Sequence, residues 1–84
     1  MYSVAWDTKA VKELRALEKK ERKKILERVA KLGTTPRPSG CKKLHDKESV
    51  YRIRVGNYRV IYQIRDSQLL VLVVKVGNRR DVYR

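Results

Sequence analysis

The sequence predicts a small α+β domain. An N-terminal strand and a helical hairpin precede a three-stranded antiparallel meander, in the order βααβββ, with both helices packed on one face of the sheet. Three observations carry this reading. Residues 51–62 alternate apolar and polar side chains about a central Gly56-Asn57; residues 8–33 hold two apolar stripes at helical spacing; and residues 69–76 form a nearly continuous apolar run. Eighty-four residues make one domain, spanning 1–84, close to the size at which a single core suffices without disulfides or metals.

In chain order, Tyr2-Ser3-Val4-Ala5-Trp6 alternates as a short strand, and Asp7 is placed to cap a helix. Ala10, Val11, Leu14 and Leu17 make the first stripe. Ile25, Leu26, Val29 and Leu32 make the second, with Gly33 as its stop. The charged residues 18–24 between them read as a tight turn that folds both stripes onto the same sheet; no Gly or Pro forbids one continuous helix instead. Residues 34–40, with two prolines and a glycine, form a loop, and the polar stretch 41–49 is expected to be mostly irregular.

The hairpin fixes its own register. Gly56-Asn57 suits a two-residue primed turn, which sets Val55 opposite Tyr58, Ile53 opposite Val60 and Tyr51 opposite Tyr62 on the core side. Arg54 then faces Arg59 on the other side, with Arg52 beside Ile61. Like charges directly opposed on a sheet are destabilising by a few tenths to ~1 kcal/mol, so folding alone gives no reason for the pair. An anionic ligand does. A three-residue turn at Asp66-Ser67-Gln68 would pair Arg65 with Leu69 and bring Lys75 opposite Arg59, enlarging the basic face; a two-residue turn would point Lys75 into the core, which is costly for an unpaired ammonium. The run 69–76 is expected to be buried on both faces.

The net charge is +13, with a sequence pI near 10.3, which points to a polyanion as partner. Residues 1–33 hold ten Lys/Arg against five Asp/Glu, residues 34–84 twelve against four, and the second half is richer in arginine, the better phosphate fork. One cysteine, Cys41, and one histidine cannot make an internal disulfide or a structural zinc site, and no apolar run is long enough to cross a membrane. Without a signal-peptide pattern at residues 1–4, a cytoplasmic location is expected, with no metal and no cofactor.

Lys43-Leu44, the hairpin 51–62, the strand exit Val76-Gly77-Asn78-Arg79 and the following Val82-Tyr83 resemble, in order and spacing, the RelE branch of the RelE/ParE toxin superfamily over essentially the whole chain. The resemblance implies an mRNA interferase, an endoribonuclease that cuts messages in the ribosomal A site and is silenced by a cognate antitoxin. Carried over by position, the family's catalytic groups fall on Arg52, Arg54, Arg59, Arg79 and Tyr83; of these, Arg54, Arg59, Arg79 and Tyr83 are taken as catalytic and Arg52 as substrate-binding. Lys75 and Arg80 join the substrate-binding set from the residues themselves. Where the best-known RelE pattern has lysines in the first hairpin strand, this chain has Arg52 and Arg54, and it ends shortly after Tyr83.

RNA is cut without metal when its own 2′-hydroxyl attacks the adjacent phosphorus. The reaction needs a proton acceptor, cations around the phosphorane and a donor for the leaving 5′-oxygen. Arg54, Arg59 and Arg79 suit the second role. Tyr83 suits acid, base or stacking roles, and Lys75 is a candidate base if neighbouring arginines lower its pKa. An arginine, with a pKa above ~12, is a poor base. The ordinary alternatives are a solvated strand face for Arg52 and Arg54, a basic loop for Arg79, a core-edge cap for Tyr83 and a solvated loop residue for His45 beside Asp46. Two other functions stay open: a ParE-like inhibitor of DNA gyrase, and a basic RNA-binding module without catalysis.

Overall fold

The computed structural model describes residues 1–44 and 49–78. Strand β1 (Ser3–Trp6) leads into α1 (Thr8–Arg15) and α2 (Lys19–Lys31), followed by β2 (Lys42–Lys43), β3 (Val50–Val55), β4 (Tyr58–Arg65) and β5 (Leu70–Asn78). The strands form one sheet in the order β1-β5-β4-β3-β2, antiparallel except for β1, which runs parallel to β5. This is the expected α+β arrangement with one addition. The stretch expected to be irregular contributes the two-residue edge strand β2, too short to show any periodicity in sequence.

Both helices lie on one face of the sheet. Ala10 and Leu14 of α1 and Ile25, Val29 and Leu32 of α2 bury themselves against Ile53, Val60, Tyr62, Ile64, Val71 and Val73. A helix this short gains most of its stability from such packing rather than from propensity. The break between helices falls at residues 16–18, not in the charged run 18–24: Glu18 is extended at ψ 151°, and Lys19 to Lys24 form the first turns of α2. Leu17 decides the position, because its side chain packs on the core and pins the connection there, whereas lysines and arginines are content on a solvated helix face. Leu26, counted with the apolar stripe, is exposed.

Asp7 occupies the predicted cap position without making a side-chain cap bond; Val11 N–H instead donates to its carbonyl at 3.0 Å. Gly33 does follow the helix, and its lack of a side chain serves close approach. A Cβ there would stand 3.0 Å from the carbonyl oxygen of Tyr2, whose own N–H donates to the Gly33 carbonyl at 2.7 Å.

Among the described residues, the opposite face of the sheet carries a small apolar cluster, Val50 and Ile61 with Leu44 and Val74. Strand β5 is therefore not buried on both sides: Val71, Val73 and Val76 are buried under the helices, while Leu70, Leu72 and Val74 are half-buried.

The turn into β5 is one residue longer than expected. A 3-10 turn at Asp66–Gln68 is followed by Leu69 in the left-handed region at φ 49°, so Arg65 pairs with Leu70. Carried along a regular ladder, that shift would aim Lys75 into the core. A β-bulge between Ile61 and Tyr62 corrects it, with Tyr62 opposite Val73 and Ile61 opposite Lys75, so that Val74 is the extra residue on β5. Lys75 then meets Glu13 of α1, its ammonium 3.1 Å from one carboxylate oxygen, while the other oxygen accepts the Val76 N–H at 3.0 Å. Strand β1 covers the edge of β5 only as far as Val73, and Glu13 takes over beyond it.

A polar knot holds residues 34–40 against the sheet. Arg37 donates to Tyr51 Oη at 3.1 Å and to both oxygens of Asp66, at 3.3 and 2.9 Å; the Tyr2 hydroxyl donates to the same carboxylate. The Arg37 guanidinium lies 5.3 Å from the centre of the Tyr51 ring, which stacks in turn on Tyr62 at 6.0 Å. Tyr62 donates to the Pro36 carbonyl at 2.8 Å, and its burial pushes the phenol pKa up.

Two outcomes follow. Glu13→Ala leaves the Val76 N–H without its acceptor and Lys75 without its partner, and urea denaturation is expected to show a loss of about 1–2 kcal/mol. The Arg37 hydrogen bonds, and after them the Tyr2 hydroxyl, hold the Asp66 carboxyl below its usual range. Its stabilising effect is thus present above the ordinary aspartate pKa and lost as pH falls through the lower folded value. Thermal melts of wild type and Asp66→Asn should differ near neutrality and converge in acid.

Candidate functional site

Pairing of β3 with β4 follows the register expected from the sequence. Val55 faces Tyr58, Ile53 faces Val60, Tyr51 faces Tyr62, Arg54 faces Arg59 and Arg52 faces Ile61. Gly56 adopts φ +61°, the value required at the first central position of a II′ turn, and Asn57 does not need a positive φ. Because side chains alternate, Arg52 and Arg54 share the face away from the helices with Arg59. Strands β2 to β5 contain no Asp or Glu, so this part of the sheet is positive throughout.

The three arginines differ in setting. Arg54 is exposed, Arg59 is half-buried, and Arg52 is 6% exposed with its Nε meeting no acceptor among the described residues. Arg52 is flanked on both sides within the sheet, by Lys42 of β2 and Ile61 of β4. Arg59 lies opposite Gly77 of β5, which has no side chain to compete for the space over the sheet.

Lys75 does not extend this cluster as the sequence suggested. It lies opposite Ile61 instead of Arg59, and its ammonium is engaged by Glu13. The longer turn and the bulge have no signature in a run of valines and leucines. Arg79, Arg80 and Tyr83, like His45 and Asp46, lie outside the described residues; β5 is described as far as Asn78, which pairs with Tyr58 beside the hairpin turn.

Sequence reasoning overlooked a cleft of about 320 Å³ beside this face, where Arg28 of α2 and Lys42 of β2 join Arg52 and Arg54. Arg28 carried no signal in sequence, being one more cation on a basic helix, and Lys42 lay in the stretch read as irregular. No group of three His, Cys, Asp or Glu among the described residues is arranged to hold a metal ion.

The profile of the family described as ParE toxin of type II toxin-antitoxin system, parDE, matches residues 4–83. The chain belongs to the RelE/ParE toxin superfamily. It is 30% identical over 86 residues to the mRNA interferase toxin RelE of Escherichia coli, covering 98% of this chain and 90% of that one. It is 28% identical to the putative toxin RelE1 of Methanocaldococcus jannaschii, covering 99% and 96%. Among solved structures, RelE in the archaeal RelE-RelB complex of Pyrococcus horikoshii superposes with a TM-score of 0.84 at 29% identity, covering 96% of this chain and 98% of that one. Isolated E. coli RelE superposes at 0.82 and 29%, covering 93% and 84%. The RelE-like α+β fold expected from the sequence is thus the fold of this member of the superfamily.

The opposition of Arg54 and Arg59 is expected to carry a cost. Arg54→Thr removes the repulsion and places a good strand former at an exposed position, so urea denaturation should show a gain of a few tenths of a kcal/mol, up to ~1 kcal/mol.

Proposed function

We propose that this toxin is a ribosome-dependent endoribonuclease that cuts mRNA in the A site without a metal, by attack of a 2′-hydroxyl on the adjacent phosphate. The observation that carries the reading is Arg54 set opposite Arg59 in a sheet whose strands β2 to β5 lack any carboxylate. Such a surface suits the charge of a pentacoordinate phosphorane better than it suits its own stability. The 30% identity to an E. coli protein named mRNA interferase supports it.

Arg54 and Arg59 hold the phosphate, and Arg52 supports them from within the sheet. Arg79 adds a further cation and Tyr83 the stacking or proton-transfer group; Arg80 contacts a flanking phosphate. Lys75 is left out, because Glu13 already occupies its ammonium. The chain acts in the cytoplasm, where ribosomes are. Its antitoxin partner, by analogy with the RelE-RelB complexes of P. horikoshii and E. coli, is a segment whose acidic groups neutralise the basic face.

A second reading has one observation in its favour: the matching family is described by its ParE members. Inhibition of DNA gyrase would leave Arg54 and Arg59 opposed to no purpose. Purified protein added to translating ribosomes is expected to cut the message in the A site, leaving a 5′-hydroxyl and a 2′,3′-cyclic or 3′-phosphate end, and Arg79→Ala to lose cleavage while keeping its fold. Intact message together with blocked supercoiling would replace this reading with the gyrase one.

A further inference from the structure

We propose that Glu13 of α1 is a positioning residue for the cleavage reaction: it holds the exit of β5 against the hairpin and so fixes the point from which the chain runs on to Arg79. Strand β5 has β4 along one edge as far as its end, with Val76 opposite Val60, Gly77 opposite Arg59 and Asn78 opposite Tyr58. Its other edge is covered in two parts. Strand β1 pairs with it only as far as Trp6 and Val73, and the chain turns into α1 once the Asp7 N–H has donated to the Val73 carbonyl at 2.9 Å. Beyond that point the Glu13 carboxylate stands in for a strand: one oxygen accepts the Val76 N–H at 3.0 Å, and the other accepts the Lys75 ammonium at 3.1 Å.

The carboxylate is well anchored for this task. Ala10 and Leu14, on either side of Glu13 in α1, are buried in the core, so Glu13 ties two consecutive residues of β5 to the packed helix layer. It binds the edge that β1 leaves open and not the one that β4 covers, which keeps β5 between its negative charge and Arg59. An anion can therefore serve the strand without occupying the face assigned to the phosphate. Without Glu13, residues 76–78 are tied to β4 alone, and a strand end held along one edge opens locally far below the cost of global unfolding. Gly77, the partner of Arg59, lies in that stretch, and Arg79 is the next residue after Asn78. A misplacement of about 1 Å arising away from the reacting atoms is enough to cost ~10²-fold in rate.

The inference rests on the endoribonuclease reading, and two measurements test it separately. Hydrogen exchange is followed by NMR in the full-length wild type, Glu13→Ala and Glu13→Gln. Alanine is expected to speed exchange of the Gly77 amide at least about tenfold more than that of Val71, which lies where β1 covers β5; glutamine, which still offers an oxygen to the Val76 N–H, restores it. An equal effect at the two residues, or none at Gly77, overturns the positioning role. Cleavage of mRNA on programmed ribosomes is then measured at a temperature where circular dichroism shows all three proteins folded. Alanine is expected to lower kcat by about tenfold to a hundredfold with KM within about twofold, and glutamine to stay within about threefold of wild type. An alanine variant with wild-type kcat, or a glutamine variant as slow as alanine, overturns the proposal. A wild type that cuts nothing overturns the activity instead, and the exchange measurement, which needs no ribosome, still decides whether Glu13 holds the exit of β5.

Discussion

The antiparallel pairing of β3 with β4 is the constraint from which the rest of the molecule follows. A period of two gives each strand two faces, and a slip of one residue would exchange them. With Gly56 at φ +61° closing the turn, Ile53, Val55, Val60 and Tyr62 can only lie under the helices, and Arg52, Arg54 and Arg59 can only lie on the far side. Hydrophobic burial on one face thus sets the geometry of the charges on the other. The strand register fixes the face from which each guanidinium projects.

A chain with a net charge of +13 must also prevent its own cations from disordering it. It does so selectively. Glu13 covers the β5 edge beyond β1 and neutralises Lys75. Asp66 gathers Arg37 and Tyr2, tying the 34–40 loop to the far end of β4. Two carboxylates thus serve the architecture, and strands β2 to β5 contribute none to the basic face. An exposed ion pair contributes little by itself, and these two matter because each also satisfies a backbone or phenol donor.

The parts of this fold legible in the sequence are those governed by strong local rules. Gly56-Asn57 and strict alternation gave the hairpin register and the opposed arginines, and helical spacing gave the two helices and the face they cover. What escaped depends on long-range contact. The helix break follows Leu17 into the core and ignores the charged run that seemed to mark it. The parallel pairing of β1 with β5 joins residues about seventy positions apart. The extra turn residue and the bulge shift β5 twice, and only their sum places Lys75 beside Glu13. Arg28 and Lys42 reach the cleft because α2 and β2 converge on β3, which no local pattern records.

On the proposed reading, the chemistry divides between this protein and whatever holds its substrate. Guanidinium groups stabilise developing phosphorane charge well and accept protons poorly. A single well-placed donor contributes about 3–4 kcal/mol to a transition state, whereas correct alignment of nucleophile, phosphorus and leaving group contributes about 7–11 kcal/mol. On that reading, two opposed arginines with a neighbouring cleft suit the holding of phosphates more than the forcing of a ribose into the in-line geometry. If the proposed reading holds, the alignment would come from outside the sheet, from a message already held in the ribosomal A site. A toxin acting in that way would spare most of the RNA it touches and cut only RNA that arrives correctly presented.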